Sequence, residues 1–104
     1  MIEKYTLYVG LNDKDSKIQK VNTVEAYKII ENLLLNLNVE GATIFEAKGL
    51  YKHENGEYVT ENTLKIEIMF VEKPIVKQLV DSIELILNQE SVAVQREVVE
   101  SELW

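Results

Sequence analysis

The sequence contains no cysteine, which removes disulfides, zinc ribbons, thiol catalysis and iron–sulfur clusters from consideration. Its single histidine, His53, leaves no basis for a His-rich metal site and little for His-dependent catalysis. Glycine occurs four times, at positions 10, 41, 49 and 56, and never in a cluster. No GxGxxG or Walker loop is therefore present to cradle a phosphate. No apolar run approaches the ~18 residues of a membrane span. The start, Met1-Ile2-Glu3-Lys4-Tyr5, lacks a signal-peptide apolar region, so the expected compartment is cytoplasmic. Basic residues are too few and too scattered to form the stripe that nucleic acid or an anionic membrane surface requires.

What is present reads as one globular domain spanning residues 1–104, with 46% apolar and 28% charged residues. Folding at this length buries about two thirds of the extended surface. The net charge is −7, from 18 acids and 11 bases, and it is unevenly placed. Residues 1–39 hold five of each sign, whereas residues 40–104 hold thirteen acids and six bases. Such a surface supports solubility and offers an acidic patch to a basic partner protein.

Residues 2–9 alternate Tyr5, Leu7 and Val9 against Thr6 and Tyr8, which predicts a strand. A polar loop follows, residues 10–21. Asn22 with Glu25 three residues on resembles a capping box and predicts a helix start. Val24, Tyr27, Ile30, Leu34 and Leu37 supply its apolar stripe, and Asn36, Asn38 and Gly41 end it. Strands are predicted over 42–52 and 58–71, with Gly49 as a kink or bulge. Between them Asn55-Gly56 is a type I′ turn pair, so the two should form an antiparallel hairpin. Pro74 suits the first turn of a second helix, which carries Ile75, Leu79, Ile83 and Leu87. Residues 91–99 are the last strand.

The order β-α-β-β-α-β predicts an α+β ferredoxin-like plait: a four-stranded antiparallel sheet with both helices on one face. Alternation assigns Tyr5, Leu7, Val9, Leu64, Ile66, Ile68 and Phe70 to the helix side. Thr6, Tyr8, Lys65, Glu67 and Met69 fall on the open side, with Ile44 and Ala93 expected beside them. An open face holding Tyr8, Ile44 and Met69 has the mixed composition of a subunit interface. Trp104 is expected to dock on its own domain or on a neighbouring subunit.

Few residues suggest chemistry. Asp13-Lys14-Asp15-Ser16 fails as a calcium loop, because Ile18 stands where glycine is needed and Val24 where a bidentate glutamate is needed. It reads instead as a loop with local Asx turns, and no metal or cofactor is expected. His53 with Glu54, Glu57 and Glu61 is the one place where a histidine meets several carboxylates. Its plain reading is an exposed turn, and a catalytic role there would need a second subunit to exclude water.

The segment Gly41-Ala-Thr-Ile-Phe-Glu-Ala-Lys-Gly49-Leu-Tyr51, followed by Asn55-Gly56 and by Glu61-Asn-Thr63, resembles an uncharacterised family of small bacterial α/β-plait proteins. That family carries a G-x-T-x-x-x-A-x-G-x-[WY] segment before a polar turn and an E-x-[ST]-x-x-L strand, with Ile66 in the leucine place here. More distantly, Gly41, Thr43, Lys48 and Gly49 are similar to the G-x-T-x-x-x-x-K-G strand of the PII and CutA group of trimeric plaits. The PII resemblance implies a phosphate loop before the last strand. Leu87-Asn-Gln-Glu-Ser91 stands there without glycine, so no PII ligand residue carries over.

These observations predict a small non-enzymatic homo-oligomer, dimer or trimer, that binds or regulates through its open sheet face. The alternatives are an acidic inhibitor or adaptor for a basic partner, of the kind a mobile element would encode, and a weak enzyme with sites between subunits. Tyr8, Ile44, Met69, His53, Glu57, Glu61 and Trp104 are the candidate partner-binding residues.

Overall fold

The computed structural model describes residues 1–52 and 55–104. Its elements are β1 (Ile2–Gly10), α1 (Thr23–Asn36), β2 (Ala42–Lys52), β3 (Tyr58–Met69), α2 (Lys73–Ile86) and β4 (Ala93–Val99). All strand pairs are antiparallel, in the order β2-β3-β1-β4. This is the ferredoxin-like plait that the alternation predicts.

The core lies between sheet and helices. Tyr5, Leu7, Val9, Leu64, Ile66 and Ile68 meet Ala26, Ile30, Leu34, Val76, Leu79 and Ile83, all buried. Each large aliphatic side chain so buried contributes about 1.5–3 kcal/mol. The stripe of α1 differs in phase from the expected one. Val24 is 63% exposed and Tyr27 faces outward, while Ala26 is fully buried. A residue as small as Ala26 lets the helix backbone come close to the sheet.

Both helices end on asparagine rather than glycine. At the end of α1, Asn38 takes φ +57°; its N–H donates to Leu35 O and that of Val39 to Leu34 O. At the end of α2, Asn88 takes φ +50° and the N–H of Gln89 donates to Glu84 O. These are Schellman closures, in which a left-handed residue lets the last carbonyls find donors. Gly41 is therefore not the helix exit. Asn38→Ala is expected to cost about 1 kcal/mol, because alanine lacks the short polar side chain that lets asparagine tolerate left-handed backbone, read as a lower urea midpoint at unchanged slope. The start of α1 is as expected: the Asn22 side chain accepts from the N–H of Glu25 at 2.8 Å.

β2 and β3 form the expected hairpin, paired without interruption from Ala42↔Ile68 to Lys52↔Tyr58. Gly49 sits opposite Glu61 within this regular ladder and marks no bulge. Five residues connect the strands, and Gly56 among them has φ +90°, a conformation glycine adopts freely. β3 stops at Met69 because Phe70 turns to φ +58°; Phe70 is thereby 45% exposed and leaves the helix side.

Paired residues share a face, so the register corrects one further placement. Ile44 pairs with buried Ile66 and packs against the core from the helix side. Its neighbour Phe45, paired with Lys65, takes the open face instead.

β1 pairs with β3 only as far as Gly10↔Thr63. From Gly49↔Glu61 outward the hairpin is a two-stranded ribbon, and the molecule measures 46 × 26 × 22 Å. Leu50, Tyr51 and Tyr58 are exposed on that ribbon. A lone two-stranded ribbon is marginally stable in water.

Candidate functional site

The open face is organised in rows that the register sets. One row runs Phe45–Lys65–Tyr8–Ala93 across all four strands. The Lys65 ammonium lies 5.5 Å from the Phe45 ring centroid and 5.9 Å from that of Tyr8, within cation–π range. The Tyr8 hydroxyl donates to Gln95 Oε1 at 3.1 Å. The next row, Thr43–Glu67–Thr6–Gln95, sinks Thr6 between longer side chains. Lys4 pairs with Glu67. That hydrogen bond holds the Glu67 carboxyl below its usual range and raises the Lys4 ammonium. Tyr8, Phe45 and Met69 remain 37%, 42% and 38% exposed.

Toward the ribbon the same face carries Glu61. Its Oε2 accepts the N–H of Asn12 at 3.0 Å. Gly10 makes room for it. A Cβ at residue 10 would lie 2.2 Å from Glu61 Oε1; one at residue 49 would crowd Thr63 Oγ1 at 2.9 Å. The missing side chain at the end of β1 thus lets a carboxylate lie flat on the sheet.

Glu61 borders a cavity of about 780 Å³ between the ribbon and two loops. The β1–α1 loop supplies Asn12, Lys14 and Lys17, the ribbon Tyr51 and Lys52, and the α2–β4 connection Gln89 to Ser91. The two loops are tied together. Asp13 Oδ2 accepts from the backbone N–H groups of Asp15 and Ser16, and Oδ1 accepts from Asn88 Nδ2 at 2.8 Å. The buried Gln89 amide donates to Asn12 O. On the other side, Asn62 Nδ2 donates to Gln19 Oε1, and Gln19 Nε2 donates to Val21 O. The Asx turn expected at Asp13 is thus present, with its carboxylate directed inward.

The N–H of Ser16, then the Asn88 amide, hold the Asp13 carboxyl well below the usual carboxylate range. A depressed folded value stabilises above the unfolded pKa of about 3.9 and loses that stabilisation as pH falls through it toward the folded value. Asp13→Asn should therefore be less stable than the parent at pH 7. The gap should close as pH drops below about 4, which urea midpoints across that range would show.

Of the candidate residues, Glu61 lies at the cavity, and Tyr8 and Met69 lie together on the open face. Ile44 is on the other side of the sheet. Glu57 is exposed, its N–H donating to Asn55 Oδ1 in the hairpin connection, and Trp104 is fully exposed rather than docked on its own domain. His53 and Glu54 lie outside the described residues. Sequence reasoning missed Phe45, Tyr51, Lys14, Lys17 and Lys52. The signal that could have found the cavity wall was Gly10 at the end of the first strand with an acid at 61. Among the described residues there is no cluster of three metal-ligating side chains and no helix long and apolar enough to cross a membrane.

The sequence profile of a family described as a protein of unknown function, DUF3574, matches residues 4–102. No curated protein matches the sequence. Solved structures of similar fold include a phage SAM lyase in complex with S-methyl-5′-thioadenosine, at TM-score 0.68 and 21% identity over 92% of this chain and 80% of that one. CutA from Archaeoglobus fulgidus aligns at TM-score 0.68 and 12% identity over 99% and 88%. The B. subtilis GlnK–ATP complex aligns at 0.57 and 17% over 92% and 84%. The resemblance to an uncharacterised family, and more distantly to the PII and CutA group, thus holds; the solved structures speak for the fold alone.

Proposed function

The chain belongs to the DUF3574 family, and we propose that it is a non-enzymatic homo-oligomer that binds a small molecule. The observation that carries this reading is the half-exposed row of Phe45, Lys65 and Tyr8, with Met69 two rows along the same face. Three strands present aromatic rings and a thioether to water on the side the helices leave bare. Such a surface has the composition of an interface core, with Tyr, Phe and Met favoured. The ribbon adds Leu50, Tyr51 and Tyr58, which a neighbouring copy would cover. The cavity beside Glu61 would then lie at the rim of the assembly. Light scattering after size exclusion, over a concentration series, tests the assembly. A mass of two or three chains supports it, and a strict monomer at the highest concentration removes it.

A second reading, an enzyme with sites between subunits, draws on Glu61. Gly10 and the Asn12 N–H fix its carboxylate at the edge of the cavity. The phage SAM lyase has a similar fold. Incubation with S-adenosylmethionine, with Glu61→Gln as control, decides it: no S-methyl-5′-thioadenosine formed above the control excludes that activity.

A further inference from the structure

The cavity has two poles of opposite charge. The anionic pole is Glu61, held on the sheet wall by Asn12 N–H and by the missing side chain at Gly10. The cationic pole is Lys14 and Lys17 on the β1–α1 loop. Lys52 also lines the hollow, but its ammonium lies over the Tyr58 ring. The ion pairs among the described residues are Lys4–Glu67, Lys77–Asp81 and Arg96–Glu3, and none includes a charge at the cavity. The Asp13 carboxylate is charged and lines the cavity too, but its oxygens accept hydrogen bonds from the loop and from Asn88, whereas Glu61 accepts one. A concave, polar-walled site concentrates its local field. A simple anion would meet Asp13, Glu61 and Glu90; a simple cation would meet the ammoniums of Lys14 and Lys17. A molecule with both charges satisfies both poles.

We propose that this cavity binds a small zwitterion of the amino-acid type, its ammonium seated on the Glu61 carboxylate and its carboxylate turned to Lys14 and Lys17. About 780 Å³ falls in the range of small-molecule sites and leaves room for a side chain beyond the charged groups. The proposal rests on the reading of the cavity as a ligand site and adds the ligand's charge class.

The test uses three matched sets of probes: the free amino acids, their methyl esters and their N-acetyl derivatives. Each is added at millimolar concentration to the whole chain, with thermal unfolding and then calorimetry as readouts. At least one free amino acid should bind, and its ester and N-acetyl forms should bind about tenfold or more weakly, the loss of one charged contact. Glu61→Gln and the pair Lys14→Ala with Lys17→Ala should each weaken the free amino acid by a similar factor at unchanged circular dichroism. If N-acetyl forms bind as tightly as the parents and Glu61→Gln changes nothing, the site takes anions: the zwitterion falls and the ligand site stands. If no probe of any set shifts unfolding, the ligand site falls and the zwitterion with it.

Discussion

Ile66→Asp should abolish folding. Ile66 sits at the centre of the sheet, fully buried, between Ile44 on β2 and Leu7 on β1. Ile30, Leu79 and Ile83 are buried in the same core. No cation belongs to that core, so a carboxylate would be buried unpaired. The penalty for such a charge is at least ~3–5 kcal/mol, and the lost aliphatic packing adds to it. A domain has about 5–15 kcal/mol in total. Far-UV circular dichroism should show an unfolded chain at 25 °C, whereas Ile66→Val should fold with a loss of about 0.5–1.5 kcal/mol. A cooperatively folded Ile66→Asp variant would mean that the two faces of the sheet are reversed.

The second large effect is expected on assembly. Tyr8→Glu combined with Phe45→Glu replaces both rings that flank Lys65 and turns the centre of the open face from positive to negative. Both positions already see solvent, so the fold should persist with unchanged circular dichroism. In an assembly built on this face, each new carboxylate is desolvated against the neighbouring subunit. One such charge left partly unpaired costs several kcal/mol, and each 1.4 kcal/mol is about tenfold in the dissociation constant. The mass in solution should fall to one chain at concentrations where the parent is assembled. An unchanged mass would place the interface elsewhere, and the exposed ribbon would be the next surface to alter.

The strands and helices were legible because their signals are local. Leu64, Ile66 and Ile68 alternate with Lys65 and Glu67, and only a strand satisfies that period. β2 was found with its bounds intact, yet its faces were not, because Ile44 and Phe45 are adjacent and both apolar. Only the pairing of Ile44 with Ile66 decides between them, and pairing is not a local property. The stripe of α1 failed for a related reason. Ile30, Leu34 and Leu37 fit two phases equally, and the small Ala26, not the larger Val24 or Tyr27, marks the line of closest approach. Of the residues expected to end α1, Asn38 makes the turn and Gly41 does not; the turn of α2 at Asn88 was hidden because asparagine tolerates left-handed backbone without announcing it as glycine does. The cavity could not be read at all: Lys14, Lys52, Glu61 and Glu90 come from four separate segments, and nothing in their spacing brings them together.

The position of β1 in the sheet has a consequence for synthesis. β1 precedes the other three strands in the chain, yet it lies between β3 and β4, the last of which ends at Val99. While the chain is still on the ribosome, both hydrogen-bonding edges of β1 stay bare until more than half of the sequence has followed. Closing those long loops comes before the contacts that reward it, which slows folding relative to a helical bundle. An apolar strand with two open edges is also a template for pairing with another nascent chain. Of the four strands, β1 is thus the one that most needs holding apart until its partners have been made.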